Sequence, residues 1–165
     1  MKTSIILGTG NYENVKTGNT VSITGDGGNA WGYYGPAYKK LAPRLETYLP
    51  YARGLEELKS IRTNLLEYTF RRKKLEEEYI RSYYEIRLKN LDVFELFQQL
   101  ENRFGRDIIL LCHEPVGEFC HRRLVADYIE LRTGIYIPEI KVEGDGMIQG
   151  MFPTCYKKSL QKLMK

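Results

Sequence analysis

No apolar run in this chain approaches the roughly 20 residues needed to cross a bilayer, which excludes a membrane-spanning helix. The patch near the start, MKTSIILGTG, is too short for a secretory signal, so a cytoplasmic protein is the expectation. Cysteine is scarce and odd in number, three in all, which predicts free thiols rather than a disulfide framework. Charge is not strongly one-sided. With 25 Lys and Arg against 21 Asp and Glu, the net +4 permits an anionic partner without requiring one. Internal repeats and low-complexity segments are absent. So is a dinucleotide fingerprint: Gly8-Thr9-Gly10 lacks the third glycine and the following helix, which rules out a nicotinamide site.

The remaining composition is that of an ordinary soluble globular protein. The 165 residues suit one domain with its own core, residues 1–165, with the tail beyond about 144 peripheral. Tyrosine is abundant, 13 residues, several of them clustered between Trp31 and Tyr38 and between Tyr79 and Tyr84. Such clusters serve either base and sugar stacking or aromatic core packing.

The organising stretch is DIILLCHEPVGEFCHRRLVADYIEL, Asp107 to Leu131. Ile108 to Leu111 is a short apolar run between Gly105 and Pro115, the pattern of a strand buried on both faces. Leu124, Val125, Tyr128, Ile129 and Leu131 recur at helical spacing. Strand, short loop and helix place chemistry at the carboxyl end of a strand in open α/β sheets. Cys112, His113 and Glu114 leave the strand, while Cys120, His121, Arg122 and Arg123 open the helix. A helix N-terminus favours anions and acidifies thiols, so two arginines there call for a negative partner. That partner is either a bound anion or one of Glu114, Glu118 and Asp127.

Elsewhere, a first strand is expected over Thr3–Leu7, turned by the glycines that follow, and a second over Thr20–Thr24. Residues 25–36, with five glycines, a proline, Trp31, Tyr33 and Tyr34, form a loop that serves as an aromatic lid or plugs into the core. A helix interrupted by Pro43 spans 38–51, and a long charged helix runs from about Leu55 to Lys89. Its Arg71-Arg72-Lys73-Lys74 block faces Glu76, Glu77 and Glu78 at i,i+4, the pattern of a solvated helix face, with a nucleic-acid patch as the alternative. Asp92–Phe104 is the cleanest helix, with Asp92 as N-cap and Gly105 as the stop. A last short strand is expected within 135–142.

The order of these blocks, Gly10-Asn11-Tyr12, an aromatic Gly/Pro loop, YKKLAPRLETY, YIRSYYEIRLKNLD and IILLCHEPVGEFCHRRLVADYIE, resembles the domain of unknown function 488 family. The likeness is specific over Tyr79–Glu139 and looser over Gly8–Leu45. It implies a small α/β domain and no established activity. Cys112, Glu114, Cys120, His121 and Arg122 fall on its signature positions. His113 stands where the family pattern has an aromatic, and Gly25-Asp26-Gly27-Gly28 stands in place of an Asp-Val-Arg-type motif.

Three chemistries compete for these residues. Zinc would use Cys112, His113, Cys120 and His121, but neighbouring side chains on a strand end or a helix diverge, and C-x₂-C spacing is absent; no metal or other cofactor is therefore expected. Thiol chemistry would use Cys120 beside His121 and the arginines, although no Cys-x₅-Arg phosphate loop is present. The third chemistry acts on a phosphorylated ligand, a nucleotide or nucleic-acid component. Arg122 and Arg123 would clamp its phosphate, and Glu114, His121 and Cys120 would be the catalytic groups. Gly8, Tyr12, Asp26, Trp31 and Cys112 would be further contacts. The expected architecture is a Rossmann-like three-layer α/β domain, its short, mainly parallel sheet flanked by helices. The site would lie beyond Leu7, Thr24 and Leu111. The alternative is a non-enzymatic nucleic-acid or protein interaction module in which the Cys-His-Arg loop is structural.

Overall fold

The structure, a computed structural model, describes residues 4–25, 29–30, 32–143, 146–149 and 155–165. A three-stranded parallel sheet forms its centre, built from β1 (Ile6–Asn11), β2 (Asn19–Ser22) and β5 (Ile108–Cys112) in the order β1-β5-β2. The expected strand Ile108 to Leu111 is therefore the middle one, and all five residues of β5 are buried. Its side chains alternate between two clusters. Ile108, Leu110 and Cys112 enter the larger, helix-covered core, whereas Ile109 and Leu111 meet Tyr12, Val15 and Ile140. Thr9 bridges to Glu139 and Ser22 to Ala37, so each edge is interrupted by a neighbouring segment at one residue.

β1 runs further than expected. Gly8 and Gly10 do not turn the chain; they pair with Ile109 and Leu111 inside the strand. Their lack of a side chain serves close packing. A Cβ on Gly8 would overlap the Ile140 side chain and come within 2.8 Å of the Pro138 carbonyl, and one on Gly10 would lie 2.7 Å from Val15 Cγ2. The strand end that approaches the site is thus Asn11, not Leu7.

Two small hairpins lie outside the sheet, β3 (Asn29–Ala30) with β4 (Tyr33–Tyr34), and β6 (Ile140–Glu143) with β7 (Gly146–Gln149). The last strand expected within 135–142 is thus confined to its end. The long helix is broken in two. α1 (Leu45–Leu58) closes in a short 3₁₀ turn, and α2 (Leu65–Tyr83) starts afresh at Asn64, whose side chain accepts the Glu67 N–H. Apolar spacing ran through this break because Leu58 and Ile61 continue the stripe, but a side-chain cap within the run is a stronger local signal. Gly54 allows the two helices to touch, since a Cβ there would overlap Leu75. After α2 the chain winds through a π-helical turn, Tyr84–Leu88.

α3 (Val93–Phe104) forms as expected: Asp92 accepts the Glu95 N–H at 3.0 Å, and Val93, Leu96, Phe97 and Leu100 face the core. Gly105 and Asp107, both at positive φ, swing the chain into β5. α4 (His121–Thr133) stops at Gly134, in the left-handed conformation that favours glycine. The tail packs on it. α5 (Lys157–Met164) buries Leu160, and the Tyr156 N–H donates to Asp127. Among the described residues no helix is long and apolar enough to cross a membrane.

Gly8→Ala is expected to destabilise the protein by about 1–3 kcal/mol, because the Pro138 backbone must move. Gly25→Ala, with no neighbour within 4 Å of the new methyl, should stay within about 0.5 kcal/mol of wild type. Urea unfolding of both variants checks the contrast; equal stabilities would refute a close-packing role for Gly8.

Candidate functional site

At the carboxyl end of β5 the chain leaves the sheet after Cys112, turns at Pro115 and Gly117, where the Glu118 N–H donates to the Pro115 carbonyl, and enters α4. Cys120 is the N-cap of α4 and has extended dihedrals, φ −155° and ψ 141°. His121 is the first helical residue. One extended and one helical position in succession swing both side chains inward, where two helical neighbours would diverge by about 100°. Adjacent residues therefore converge here, contrary to the expectation from regular geometry.

The convergence is tight. Ligand atoms of Cys112, Cys120 and His121 lie within 4.8 Å of one another. His121 Nδ1 is 3.9 Å from each sulfur. Its Nε2 is 2.6 Å from the Ile23 carbonyl, which accepts only, so Nε2 carries the proton and Nδ1 the free lone pair; Cys112 Sγ lies closer to Nε2, at 3.4 Å, than to Nδ1. Cys120 Sγ lies 3.1 Å from Glu114 Oε2, within hydrogen-bond reach of the carboxyl. His113 takes no part in the cluster. It lines the cavity beside Glu114, 3.4 Å from Glu114 Oε1.

Burial and mutual charge perturb every member of the group. Burial, with the neighbouring Cys120 adding to it, pushes the Cys112 thiol well above the usual range. Burial acts upward on Cys120 too, but the hydrogen bond from Cys112 and the charges of Arg122 and His121 together outweigh it, leaving this thiol well below the usual range. Burial and the Cys120 charge raise the Glu114 carboxyl to about 8, against the opposing pull of His121. For His121, burial favours the neutral ring, yet Cys120, Glu114 and the Ile23 carbonyl shift it upward.

Cys120, His121 and Glu114 lie against a cavity of ≈ 310 Å³. Tyr48 and Leu45 from α1, Tyr79 from α2 and Phe119 from the loop supply its walls. Tyr51, Tyr79 and Phe119 pack on one another with centroids 4.9–5.4 Å apart, so the aromatic wall is a preformed unit. Thr24 and Gly25, beyond β2, close another side. The Tyr79–Tyr84 cluster pointed to this wall; Tyr48, Tyr51 and Phe119 carried no local signal that would have marked them.

The arginines require a correction. Arg122 and Arg123 do not face the cavity as a phosphate clamp; they are 1% and 3% exposed and turn into the protein. Their partner is Glu139, 1% exposed, which was not among the carboxylates weighed from the sequence. Arg122 Nε donates to Glu139 Oε1 at 2.9 Å. Arg123 Nη1 donates to Thr9 Oγ1 at 2.8 Å and to the Ile137 carbonyl at 2.9 Å, and Thr9 Oγ1 donates to Glu139 Oε2 at 2.7 Å. Arg122 Nη1 makes no hydrogen bond to a described residue and lies 4.0 Å from Glu114 Oε2, beneath the site.

The remaining residues divide. Gly8 is engaged in packing within β1. Tyr12 is not at the cavity wall; its hydroxyl is buried against Ser22 and Thr24 while its ring stacks on Tyr33 at 5.0 Å. Tyr33 in turn donates to the Thr20 and Pro36 carbonyls, so this part of the aromatic loop is a plug. Asp26 and Trp31 lie outside the described residues. In the basic quartet, Arg71 pairs with Glu67 at 2.8 Å and Arg72 with Glu76 at 3.5 Å, and both pairs are partly exposed.

The family model of a domain of unknown function, DUF488, matches residues 53–129. Over those residues the chain is similar to the DUF488 family. No curated protein and no solved structure matches it. The DUF488 match holds α2, α3, β5, the whole Cys-His loop and most of α4. Thr24, Ile23 and Glu139, which complete the site and its support, lie outside the matched span.

Glu139→Gln is expected to cost about 3–5 kcal/mol, because it leaves two buried guanidinium groups without their counter-charge. Adding Arg122→Met should recover part of that loss. Urea unfolding of the single and double variants measures it, and a single-variant cost below about 1 kcal/mol, the range of an exposed pair, would refute the support role.

Proposed function

We propose that this protein binds the ring-bearing part of a nucleotide or nucleic-acid component in the aromatic cavity and acts on it by proton transfer. The observation that carries the reading is one enclosure of ≈ 310 Å³ with aromatic walls and a polar floor of Glu114, Cys120 and His121. That size is at the lower end for small-molecule sites and suits a nucleoside rather than a polymer. Tyr48 and Tyr79 offer faces for a flat ring. Glu114 reaches the cavity with a carboxyl shielded from bulk water, the placement of a group that gives or takes a proton. A phosphate would lie at the mouth, since Arg122 and Arg123 are engaged by Glu139.

A second reading draws on α2, where Leu66 and Phe70 are 87% and 70% exposed, one helical turn apart beside the basic quartet. There the helix is an interaction surface and the Cys-His loop is structural.

A thermal-shift series with nucleobases, nucleosides, nucleoside monophosphates, sugar phosphates and short single-stranded polynucleotides separates the two, since a ligand that prefers the native state raises its melting temperature. A nucleoside or its monophosphate is expected to stabilise wild type, and Tyr48→Ala to weaken it about 10-fold or more, in line with one lost stacking contact of ~1–3 kcal/mol. A response to polynucleotide alone, abolished by Phe70→Ala, would favour the α2 surface and sink the cavity reading.

A further inference from the structure

We propose that Cys112, Cys120 and His121 form a zinc site whose fourth position opens onto the aromatic cavity. This site stands independently of the ligand reading above.

The donor set is that of zinc: two sulfurs and one imidazole nitrogen, a combination used by catalytic zinc sites that keep one position open. The spacing is close to that of a tetrahedral site. Zn–S and Zn–N bonds of about 2.3 and 2.0–2.1 Å place sulfur and nitrogen about 3.6 Å apart around one ion. His121 Nδ1 lies 3.9 Å from Cys112 Sγ and 3.9 Å from Cys120 Sγ, while Cys112 Sγ is 3.4 Å from Nε2, so closing the shell takes a turn of the Cys112 side chain toward Nδ1 together with a contraction of a few tenths of an ångström.

A second observation is independent of the cluster itself. The other ring nitrogen of His121 donates to the Ile23 carbonyl at 2.6 Å. A backbone carbonyl on the far nitrogen is the usual outer-shell partner of a metal-bound histidine, because it fixes the tautomer and aims the free lone pair. Here it leaves Nδ1 as the lone-pair nitrogen, 3.9 Å from each sulfur. A third observation concerns charge. Arg122 Nη1 is buried and has no hydrogen bond to a described residue, beneath Glu114 and the thiols. Two thiolates on a dication leave no net charge, and Glu114 then balances Arg122.

The ion would lie with Cys112 behind it, since Cys120 and His121 line the cavity and Cys112 does not. Its fourth ligand is a water on the cavity side, near enough to Glu114 for that carboxylate to take the water's proton. With zinc bound, Cys120 is a ligand rather than a nucleophile, and the attacking group of the site is that water.

The test uses the full chain. Metal content is measured by mass spectrometry on protein purified without chelators. The metal-free protein, prepared with a chelator under reducing conditions, is then titrated with Co²⁺ and followed by absorption. The expected result is one equivalent of zinc as isolated, and one equivalent of Co²⁺ giving thiolate-to-cobalt charge transfer with the strong visible bands of a tetrahedral ion, displaced by Zn²⁺. Cys112→Ser should weaken the charge-transfer band and His121→Asn should reduce affinity, with circular dichroism reporting on the fold. Cys155→Ser, which changes an exposed thiol outside the cluster, should leave the spectrum as in wild type.

No cobalt uptake by folded wild-type protein, or an octahedral spectrum without thiolate bands, would overturn the site even if no variant folds. Bands lost in Cys155→Ser but kept in Cys112→Ser would overturn it as well. Nucleosides added to the metal-free and zinc-loaded forms keep the two proposals apart. Metal uptake without any nucleoside response sinks only the ligand reading, and a nucleoside response without metal uptake sinks only the zinc site.

Discussion

The site depends on one buried carboxylate. Glu139 lies outside the Cys-His loop, yet it receives Arg122 directly and Arg123 through Thr9, and so ties the first turn of α4 to β1 and to the segment before β6. Two arginines in the first turn are unfavourable for a helix whose N-terminus already carries partial positive charge. They are retained because their charge is matched across the fold instead of within the helix. The arrangement has one anion for two cations, and the surplus is directed to one place. Arg122 Nη1 lies under Glu114, where its field contributes to the acidity of Cys120. The structural ion pair is therefore also part of the electrostatics of the site.

The cavity above has a different origin. α1 and α2 close into a hairpin at Gly54 and Leu75, and this brings Tyr51 against Tyr79. Phe119, one residue before the helix cap, then packs on both. The same loop thus delivers a wall residue and a polar floor residue in succession, Phe119 and Cys120. Loop conformation, wall packing and the Glu139 network have to be right together for the cavity to exist. That explains why its residues come from four separate parts of the chain.

This pattern also accounts for what the sequence made legible. β5, α3 and α4 could be placed because their signals are local: an apolar run, an Asp92 cap, a Gly134 stop and 3.6-residue spacing. The strand-loop-helix order alone pointed to the loop after β5, whose Glu114, Cys120 and His121 line the cavity. Gly8 and Gly10 were misread as a turn because a glycine required by a neighbour looks the same in sequence as one required by a bend, and Ile140 is about 130 residues away. The partner of Arg122 and Arg123 was missed for the same reason. Nearby carboxylates were weighed, whereas Glu139 becomes close only after α4 has folded back along the sheet. The expected divergence of Cys120 from His121 rested on regular helical geometry, which an N-cap does not obey.

That last point bears on what the two thiols are for. A small hydrophobic residue would fill the space of a buried cysteine at less risk, since two thiols with a histidine between them are prone to oxidation or metal capture. Cys112 alone could be packing; it faces the large core from the end of a fully buried strand. Cys120 is harder to explain that way. As an N-cap it supplies no side-chain hydrogen bond to the helix, where Ser or Asp would stabilise the same turn by about 1 kcal/mol. The position gives up helix stability to keep a sulfur 3.1 Å from Glu114 and 3.9 Å from His121 Nδ1. A forgone capping bond of this kind, in a loop held in place by a buried ion-pair network, is a local departure from what folding alone favours, and it is the departure on which the proposals for this site rest.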